Sequence, residues 1–431
     1  MSPRDDGHAA PRPCLLVLGG SADQLFMLRT AREMGLRTAC LDGNARAPGL
    51  GAADLAAAID FSDLPAVYDW LDVQRAAGEH LCGVATMGSD VPHLVAAIAA
   101  RYGWCGPSEE TGRLATDKLA MKERFAERGV GVPRFAAVRD AAGVRRLWRH
   151  WDCRQVVIKP TDRAGSRGVR VLSRDDQVDD AVAHAREQGR SGALLLEEFV
   201  PGPQLSTETV VWRGRAVTPG FADRLYEGME SFHPQILENG GWLPSRFAGT
   251  ELQGQVERLV EDAAGALGID SGVGKGDVVV CPRRGPLMIE MAARLSGGDF
   301  SAGLVPLGTG VNYVRAVIDI ALGREPDWAA LRPSRALTVA NRYFFPPAGR
   351  LEAVEVPPDF RARPGVVKLE LAYEPGDAIP PIRSHGERAG VMVLTGPDRA
   401  AVQALVDEGY ARVRFRIDGQ WRTGEPPAGT R

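Results

Sequence analysis

The chain has 431 residues, enough for two or three domains. Its apolar fraction of 44% and charged fraction of 25% are ordinary for a globular protein, and its net charge of −3 argues against a nucleic-acid partner. No apolar run approaches the roughly 20 residues that a membrane helix needs, which argues against a membrane protein. The composition therefore predicts a soluble globular protein.

The N-terminus and the cysteines indicate a protein of the cytoplasm. Residues 1–13 are polar and proline-bearing and contain no hydrophobic segment for export, so they predict a disordered leader. The sequence contains no Cys-x-x-Cys pair and no cysteine–histidine cluster, so it gives no indication of a zinc site. Most cysteines lie beside apolar strand residues, which predicts buried free thiols in a reducing cytoplasm. The six are Cys14, Cys40, Cys82, Cys105, Cys153 and Cys281.

The first hundred residues alternate between strand and helix patterns. An apolar strand over 14–18 is followed by a glycine turn at 19–21 and a helix over 24–34. This order predicts a small doubly wound βαβ layer over 14–112. The turn lacks the G-x-G-x-x-G pattern, so a dinucleotide site is disfavoured, although the turn can still face a shared cleft.

The most informative segment is the run over residues 158–169, which reads as strand, lysine, small-residue loop and strand. Gly165 and Gly168 let the backbone approach a ligand with its N–H groups exposed to anionic oxygens. Ser166 adds a hydroxyl donor, and Lys159 adds a positive charge fixed by the strand. The loop is not a Walker loop, which needs Gly-Lys-Ser/Thr before a helix. It favours a lid over nucleotide phosphates, and the alternative is a glycine-rich hairpin with an incidental lysine.

From residue 116 onward the pattern is dominated by strands. The strand over 194–200 ends in alternating polar and apolar residues. Its backbone can pair with a flat heterocycle, with Val200 among the apolar walls. The alternative is an edge strand that exposes Glu197 and Glu198.

A second constellation combines acids with apolar strands. Asp277 and Glu290 lie on two strands joined by a turn, and antiparallel pairing can place them side by side on one face. Two such carboxylates repel unless a cation lies between them, and magnesium prefers carboxylate and phosphate oxygens. Arg294 follows Glu290 by four residues, so an extended strand keeps it on the same face. The planar guanidinium of Arg294 suits a carboxylate or a phosphate. The alternative interpretation of the whole segment is a surface hairpin with scattered charges.

In this order, the nucleotide loop, the hinge strand, the carboxylate hairpin and the arginine resemble the ATP-grasp superfamily, and within it the carboxylate–amine ligases that act on amino acids. The resemblance spans roughly 14–420 and rests on motif order and spacing, since no single motif is diagnostic. It implies an α/β protein, α+β in the nucleotide domain. The implied parts are an N-terminal doubly wound βαβ domain at 14–112, an ATP-grasp nucleotide domain at 113–330 with a small lid at about 120–200, and a C-terminal β-rich α+β domain at 331–431.

The resemblance also implies which residues bind ATP and Mg²⁺. Asp277 and Glu290 would hold the metal. ATP phosphates would meet lysines and the glycine loop, and the adenine and ribose would meet the hinge strand, largely through its backbone. The residues concerned are Lys118, Lys159, Gly165, Ser166, Gly168, Glu197, Glu198, Val200 and Gln204.

Catalytic and substrate contacts follow from the same resemblance. Arg294 would stabilise an acyl-phosphate or bind the substrate carboxylate, with Lys159 and Ser166 as further catalytic groups. Substrate contacts are implied for Arg294, Ser296, Gly297, Gly298 and His233. His233 has a simple alternative, since a lone histidine in a loop is more often just exposed.

Three positions depart from the family pattern. Gln204 stands where many members have a glutamate for the ribose hydroxyls, and Asp277 replaces the commoner glutamate. Ala292 stands where many members have an asparagine that completes a metal shell. The number of bound magnesium ions, one or two, therefore stays open.

The implied reaction couples an acid to an amine. The carboxylate attacks the γ-phosphate of ATP, ADP leaves, and the amine displaces phosphate from the acyl-phosphate to form an amide or peptide bond. Two alternatives remain: another ATP-grasp ligase of biotin-carboxylase-like or purine-pathway type, and a nucleotide-binding scaffold without catalysis. The acid, the amine, the general base and the oligomeric state stay open, and the resemblance is compatible with a homodimer.

Overall fold

The computed structural model describes residues 12–427. Most of the predicted disordered leader therefore lies outside the described residues. The N-terminal layer has four strands, all paired in parallel in the order β3-β2-β1-β4, and this arrangement matches the predicted βαβ layer. Its elements are β1 (Cys14–Leu18), α1 (Ala22–Glu33), β2 (Arg37–Leu41), α2 (Pro48–Ala52), β3 (Leu55–Ala57), α3 (Leu64–Ala76), β4 (Leu81–Thr86) and α4 (Pro92–Tyr102).

Two helices lead from this layer to the next sheet. They are α5 (Glu109–Thr116) and α6 (Lys118–Glu127). The Asp117 carboxylate caps α6 by accepting hydrogen bonds from the backbone N–H groups of Leu119, at 2.9 Å, and Ala120, at 3.2 Å. The cap fixes the first turn of α6, and this places Lys118 and Lys122 one above the other on the same helix face.

The lid is a four-stranded antiparallel sheet with the order β5-β8-β6-β7. Two helices pack on this sheet, and the sequence analysis, which found a pattern dominated by strands, did not identify them. The elements are β5 (Phe135–Val138), α7 (Ala141–Trp151), β6 (Val156–Pro160), β7 (Arg170–Leu172), α8 (Val178–Gln188) and β8 (Leu194–Glu198). The predicted lid segment begins at about 120, yet α6 contributes Met121 and Phe125 to the hydrophobic core beneath the central sheet.

The central sheet has eight strands and runs through two of the predicted domains. The elements of its first part are β9 (Gln204–Trp212), β10 (Arg215–Leu225), α9 (Met229–Phe232), β11 (Gly240–Leu243), α10 (Glu251–Leu267), β12 (Gly272–Cys281), β13 (Gly285–Ala292), α11 (Val305–Thr309) and α12 (Tyr313–Ala321). The remaining elements are β14 (Thr338–Tyr343), β15 (Gly349–Glu355), α13 (Pro358–Arg361), β16 (Val366–Leu371), β17 (Ala378–Ile379), β18 (Gly390–Gly396), α14 (Arg399–Arg412), β19 (Arg414–Ile417) and β20 (Gln420–Thr423).

The order of this sheet is β13-β12-β9-β10-β11-β14-β18-β16. Three of its strands, β14, β16 and β18, come from the region predicted as the C-terminal domain. A separate four-stranded sheet, β17-β15-β19-β20, packs beside them. The C-terminal region therefore shares its main sheet with the nucleotide-binding region, in keeping with an ATP-grasp module that needs both. The exact domain boundaries stay a prediction.

Within residues 12–427, no helix is both long and apolar enough to cross a membrane. The six predicted free thiols are free in the structure.

Candidate active site

A cavity of about 580 Å³ is lined by residues of the N-terminal layer, the lid, the central sheet and the C-terminal region. The structure brings most of the predicted site residues together around it, although they span 180 positions of the sequence. The predicted residues that line it are Lys118, Lys159, Gly165, Ser166, Glu197, Glu198, Val200, Gln204, Asp277, Glu290, Arg294, Ser296, Gly297 and Gly298.

Two predicted site residues lie elsewhere. Gly168 does not line the cavity: a Cβ atom there would lie 3.0 Å from Pro160 and 2.9 Å from Gln188, so this glycine allows close packing inside the lid. His233 does not line the cavity either, and its Nε2 lies 3.3 Å from the Ser173 hydroxyl at the edge of the lid. The exposed-loop alternative for His233 fits this position better than substrate contact.

The carboxylate hairpin forms as the sequence indicated. Asp277 on β12 is the direct cross-strand partner of Glu290 on β13, so both side chains face the cavity from one side of the sheet. The register shifts between Asp277 and Val278, immediately after this pair. This bulge lies beside the two acids, at the kind of position where sheets commonly re-aim side chains at a functional site.

Three cations surround the hairpin acids. The Asp277 carboxylate contacts the Lys275 ammonium through one oxygen and the Arg224 guanidinium through the other, the latter at 2.8 Å. Glu290 pairs with Lys118 at 3.0 Å. Burial alone would raise the pKa of Glu290, but Lys118 and Lys159 outweigh this effect and hold the pKa well below its ordinary value. Glu290 is therefore a carboxylate at neutral pH.

Glu197 lies below the lid between two lysines. Its carboxylate pairs with Lys122 at 2.7 Å and with Lys159, and all three side chains are nearly fully buried. Burial opposes the charge on Glu197, yet the two ammonium groups lower its pKa. Burial lowers the pKa of Lys122 to about 8, with Lys159 acting in the same direction. Lys122 was not singled out from the sequence, although its spacing of four from Lys118 on a helix was a usable signal.

Glu198 has a different set of contacts at the hinge. Its carboxylate accepts a hydrogen bond from the Arg134 backbone N–H at 3.0 Å and pairs with the Arg134 and Arg284 guanidinium groups. These contacts tie the lid strand β8 to the β12–β13 turn. The neighbouring Val200 and Gln204 line the cavity, as the hinge prediction requires.

Two arginines in the lid loop were missed from the sequence. Arg163 and Arg167 line the cavity on either side of Gly165, and neither forms an ion pair with a described residue. The Nε of Arg163 is buried without a hydrogen-bond partner. Burial, reinforced by Arg163 and Arg190, lowers the pKa of Arg167. The loop therefore presents unneutralised guanidinium groups where an anionic ligand would offset their repulsion.

Arg294 lines the cavity beside the N-terminal layer. A parallel bridge between Met87 and Leu295, with the Gly88 N–H donating to the Leu295 carbonyl at 3.0 Å, holds the arginine segment against the N-terminal layer. The Arg294 Nε lies 3.7 Å from Asp90 and has no hydrogen-bond partner although it is buried. Its guanidinium therefore retains donors for a ligand.

Asp23, which follows the first glycine turn, lies close to Arg294. It lines the cavity and is enclosed by glycines: a Cβ atom on Gly297 would lie 2.5 Å from its carboxylate, and one on Gly88 would lie 2.8 Å away. Its contact in the described structure is the Gly298 N–H at 3.4 Å, and it forms no ion pair there. Burial, reinforced by Asp299, raises the pKa of Asp23. The turn at 19–21, which the sequence allowed to face a shared cleft, does not line the cavity, whereas Asp23 in the first turn of α1 does.

A buried glutamate lies behind the substrate end. Glu208 on β9 accepts hydrogen bonds from the Ser296 hydroxyl and from the Tyr313 hydroxyl, the latter at 2.6 Å. Burial raises the pKa of Glu208 to about 7. Ser296 lines the cavity, so this network fixes the orientation of a hydroxyl that can meet a substrate.

The C-terminal region closes the site over the lid loop. The His385 N–H donates to the Gly165 carbonyl at 3.1 Å, and its Nε2 lies 3.1 Å from the Ser166 hydroxyl and 3.2 Å from the Glu238 N–H. Burial, reinforced by Arg388 and Arg224, holds the pKa of His385 well below its ordinary value, so the ring is neutral. Ser166, predicted as a phosphate donor, thus also binds the C-terminal region.

Comparisons with known proteins identify the family of the chain. The ATP-grasp domain family model matches residues 115–298, and the model of the L-amino acid ligase C-terminal domain 2 matches residues 342–418. The first match contains the lid loop, the hinge and the carboxylate hairpin. The chain is therefore a member of the ATP-grasp superfamily, and the predicted family and fold class are confirmed.

Individual relatives are distant. The L-arginine-specific L-amino acid ligase of Bacillus subtilis is 20% identical over 292 residues, which cover 64% of this chain and 66% of the relative. N5-carboxyaminoimidazole ribonucleotide synthase of Corynebacterium ammoniagenes is 28% identical over 61% of this chain and 60% of the relative. The chain spans less than two thirds of the length of the curated relatives it matches.

Solved structures share the fold over almost the whole chain. The L-amino acid ligase of Bacillus licheniformis superimposes with a TM-score of 0.79 at 19% identity, covering 95% of this chain and 99% of the other. Phosphoribosylglycinamide synthetase of Anaerococcus prevotii superimposes with a TM-score of 0.70, also at 19% identity, covering 94% and 100%. At these identities the likeness establishes the fold, and the substrates have to be inferred from the site.

Proposed function

We propose that this protein is an ATP-dependent carboxylate–amine ligase that forms an amide or peptide bond through an acyl-phosphate. The observation that carries the proposal is that a single cavity is lined both by a group of cations suited to phosphates and by Arg294 and Asp23. The match to an L-amino acid ligase C-terminal domain supports an amino acid as one substrate. Glu197, Glu198, Val200 and Gln204 supply the nucleotide hinge in this scheme.

The first step brings a substrate carboxylate against the γ-phosphate of ATP. Two anions must approach, so the protein has to supply positive charge. Lys118 on α6 and Lys159 on β6 provide positive charge, and Arg163 and Arg167 in the lid loop add to it. The carboxylate oxygen bonds to phosphorus, the bond from phosphorus to the bridging oxygen breaks, and ADP leaves.

Glu290 would hold magnesium in this scheme, with phosphates and water as its remaining ligands. Asp277, predicted as a second ligand, lies beside Glu290 with its oxygens in contact with Lys275 and Arg224. In the part of the chain that the structure describes, no group of three or more His, Cys, Asp or Glu residues could hold a metal alone, which is consistent with an ion bound together with the nucleotide. Bound there, magnesium would supply charge neutralisation at the phosphates.

In the second step the amine attacks the carbonyl carbon, the carbon–oxygen bond to phosphate breaks, and phosphate leaves with a proton from the amine. Water must be excluded because the mixed anhydride hydrolyses readily. The contact of His385 with Gly165 and Ser166 supports a site that closes over the intermediate. Arg294 stabilises the acyl-phosphate or binds a substrate carboxylate.

The charges at the substrate end favour an α-amino acid as the attacking amine. Arg294 offers a guanidinium for its carboxylate, and Asp23 offers a carboxylate for its ammonium group. A zwitterion would neutralise both charges, and this would offset the cost of keeping each one desolvated. The six free thiols fit a reducing cytoplasm, and a homodimer stays a prediction.

The test is phosphate and ADP release from ATP with a panel of acids and amines, supplied singly and in pairs. We expect release only when an acid and an amine are both present, with the amide seen by mass spectrometry. Release with bicarbonate in place of a carboxylic acid would instead support a carboxylase-like or purine-pathway enzyme. ATP binding without release for any pair would favour the scaffold alternative.

A further inference from the structure

The inference concerns Asp277, one of the two acids expected to hold metal. Its two oxygens contact two different cations, Lys275 two residues earlier on β12 and Arg224 on β10. Asp277 is buried, so these contacts are shielded from solvent, and a divalent ion could bind it only by displacing a lysine or an arginine. Arg224 is itself buried and pairs with Glu238 at 2.6 Å, which fixes it in place.

The charges around the hairpin already balance. The acids are Asp277, Glu290 and Glu238, and the cations that contact them are Lys275, Lys118 and Arg224. Three carboxylates face three cations before any metal binds. The protein alone therefore offers a divalent ion no net negative charge here, so an ion bound at the hairpin depends on the phosphates of ATP.

The strand opposite Lys275 offers no ligand. Ala292 on β13 is its direct cross-strand partner, and a methyl side chain cannot coordinate a metal. Lys275 thus has room to extend along the face of the sheet and reach Asp277. Lys275 therefore places a cation on β12 directly opposite Ala292, a position on β13 that has no metal ligand.

We propose that the Lys275 ammonium takes the place of a second divalent ion, so that the protein binds a single magnesium ion with ATP, on the Glu290 side of the hairpin. Lys275 lines the cavity and can contact phosphate oxygens directly while Asp277, held by Arg224, keeps it in position. Asp277 is then a positioning residue for Lys275. The inference rests on the proposed ATP site but not on amide formation.

The test counts Mn²⁺ ions bound per chain in the presence of the non-hydrolysable ATP analogue AMPPNP, by electron paramagnetic resonance titration. We expect one ion for the unmodified protein. In the double variant Lys275→Gln with Ala292→Asn, Asp277 loses its flexible cation and a carbonyl ligand is added, so we expect two ions. Lys368→Gln, a lysine variant on edge strand β16, is the matched control and should bind one.

Two ions on the unmodified protein, or one ion on a folded double variant, would overturn the proposal. Circular dichroism and AMPPNP affinity establish that the double variant is folded; if it is not, the single Lys275→Gln variant is counted in its place and should likewise gain an ion. A protein that binds AMPPNP and one Mn²⁺ but never forms an amide would refute the proposed ligase activity and leave this inference standing.

Discussion

The buried acids of the nucleotide site and those of the substrate site differ in their partners. At the nucleotide end each buried acid has a cation: Glu197 lies between Lys122 and Lys159, and Glu290 meets Lys118. At the substrate end Asp23 forms no ion pair with a described residue, and Arg294 reaches Asp90 only at 3.7 Å. Charges that are already paired hold the fold together, whereas desolvated charges without a partner are those that a ligand can satisfy.

The largest expected effect tests the paired end. Glu197→Gln leaves Lys122 and Lys159 buried without a counter-charge, so we expect a loss of about 3–5 kcal/mol in the free energy of unfolding. Urea unfolding measures it. Glu198→Gln is the matched control, because its partners Arg134 and Arg284 are partly exposed; a loss there of only about 1 kcal/mol is expected. Equal losses for the two variants would contradict the comparison.

Arg294→Ala tests the unpaired end. We expect amide formation to fall about 100-fold or more, because the guanidinium faces charge that develops on the substrate, while AMPPNP affinity stays within about twofold. Coupled phosphate release and calorimetry measure the two quantities. Arg283→Ala, on the exposed β12–β13 turn, is the matched control. A near-normal amide yield from the Arg294 variant would refute its role.

Asp23→Asn tests whether Asp23 binds the amino group of the substrate. The amide keeps the side-chain volume and removes the negative charge, so the KM for an amino-acid nucleophile should rise about tenfold. The dependence of the acid-activation step on ATP should stay unchanged. N-acetylation of the amino acid should weaken its binding to the unmodified protein but matter little to the variant. Asp69→Asn, on an exposed face of α3, is the control. An unchanged penalty for N-acetylation would remove Asp23 from the amine site.

The smallest effect concerns the contact between the lid and the C-terminal region. His385→Ala removes the ring next to the Ser166 hydroxyl, and we expect the KM for ATP to rise about threefold. The pKa of His385 is depressed when the lid is closed, so protonation favours an open lid. ATP affinity of the unmodified protein should therefore fall as pH drops below about 6.5, and the variant should lose this dependence. A pH-independent KM for the unmodified protein would contradict this assignment.

The sequence was sufficient for the hairpin and the lid loop because both are local. Asp277 and Glu290 are separated by one turn, and antiparallel pairing leaves little choice of register once the apolar residues face inward. Gly165 and Ser166 lie between two strands that pair with each other, so their position followed from the chain alone. Gly168 was predicted for the same reason and lies in lid packing, because glycine serves close packing as well as ligand approach.

The partners of those residues could not be predicted in the same way. Lys122 and Lys159 meet Glu197 from two elements far apart in sequence, and no local pattern relates them. Asp23 and Arg294 line one cavity although they are far apart in the sequence, and a parallel bridge between Met87 and Leu295 holds the two regions together. His385 reaches the lid through the shared eight-stranded sheet, which the sequence divided between two domains.

By itself, then, the sequence indicated the superfamily through its resemblance to a known family. It also placed the acids of the hairpin, because strand alternation and turn chemistry act over a few residues. Only the tertiary structure decided which buried charges are paired and which face the cavity without a partner. That division depends on distances between segments brought together by the core, and burial makes the electrostatic consequence of each such distance large.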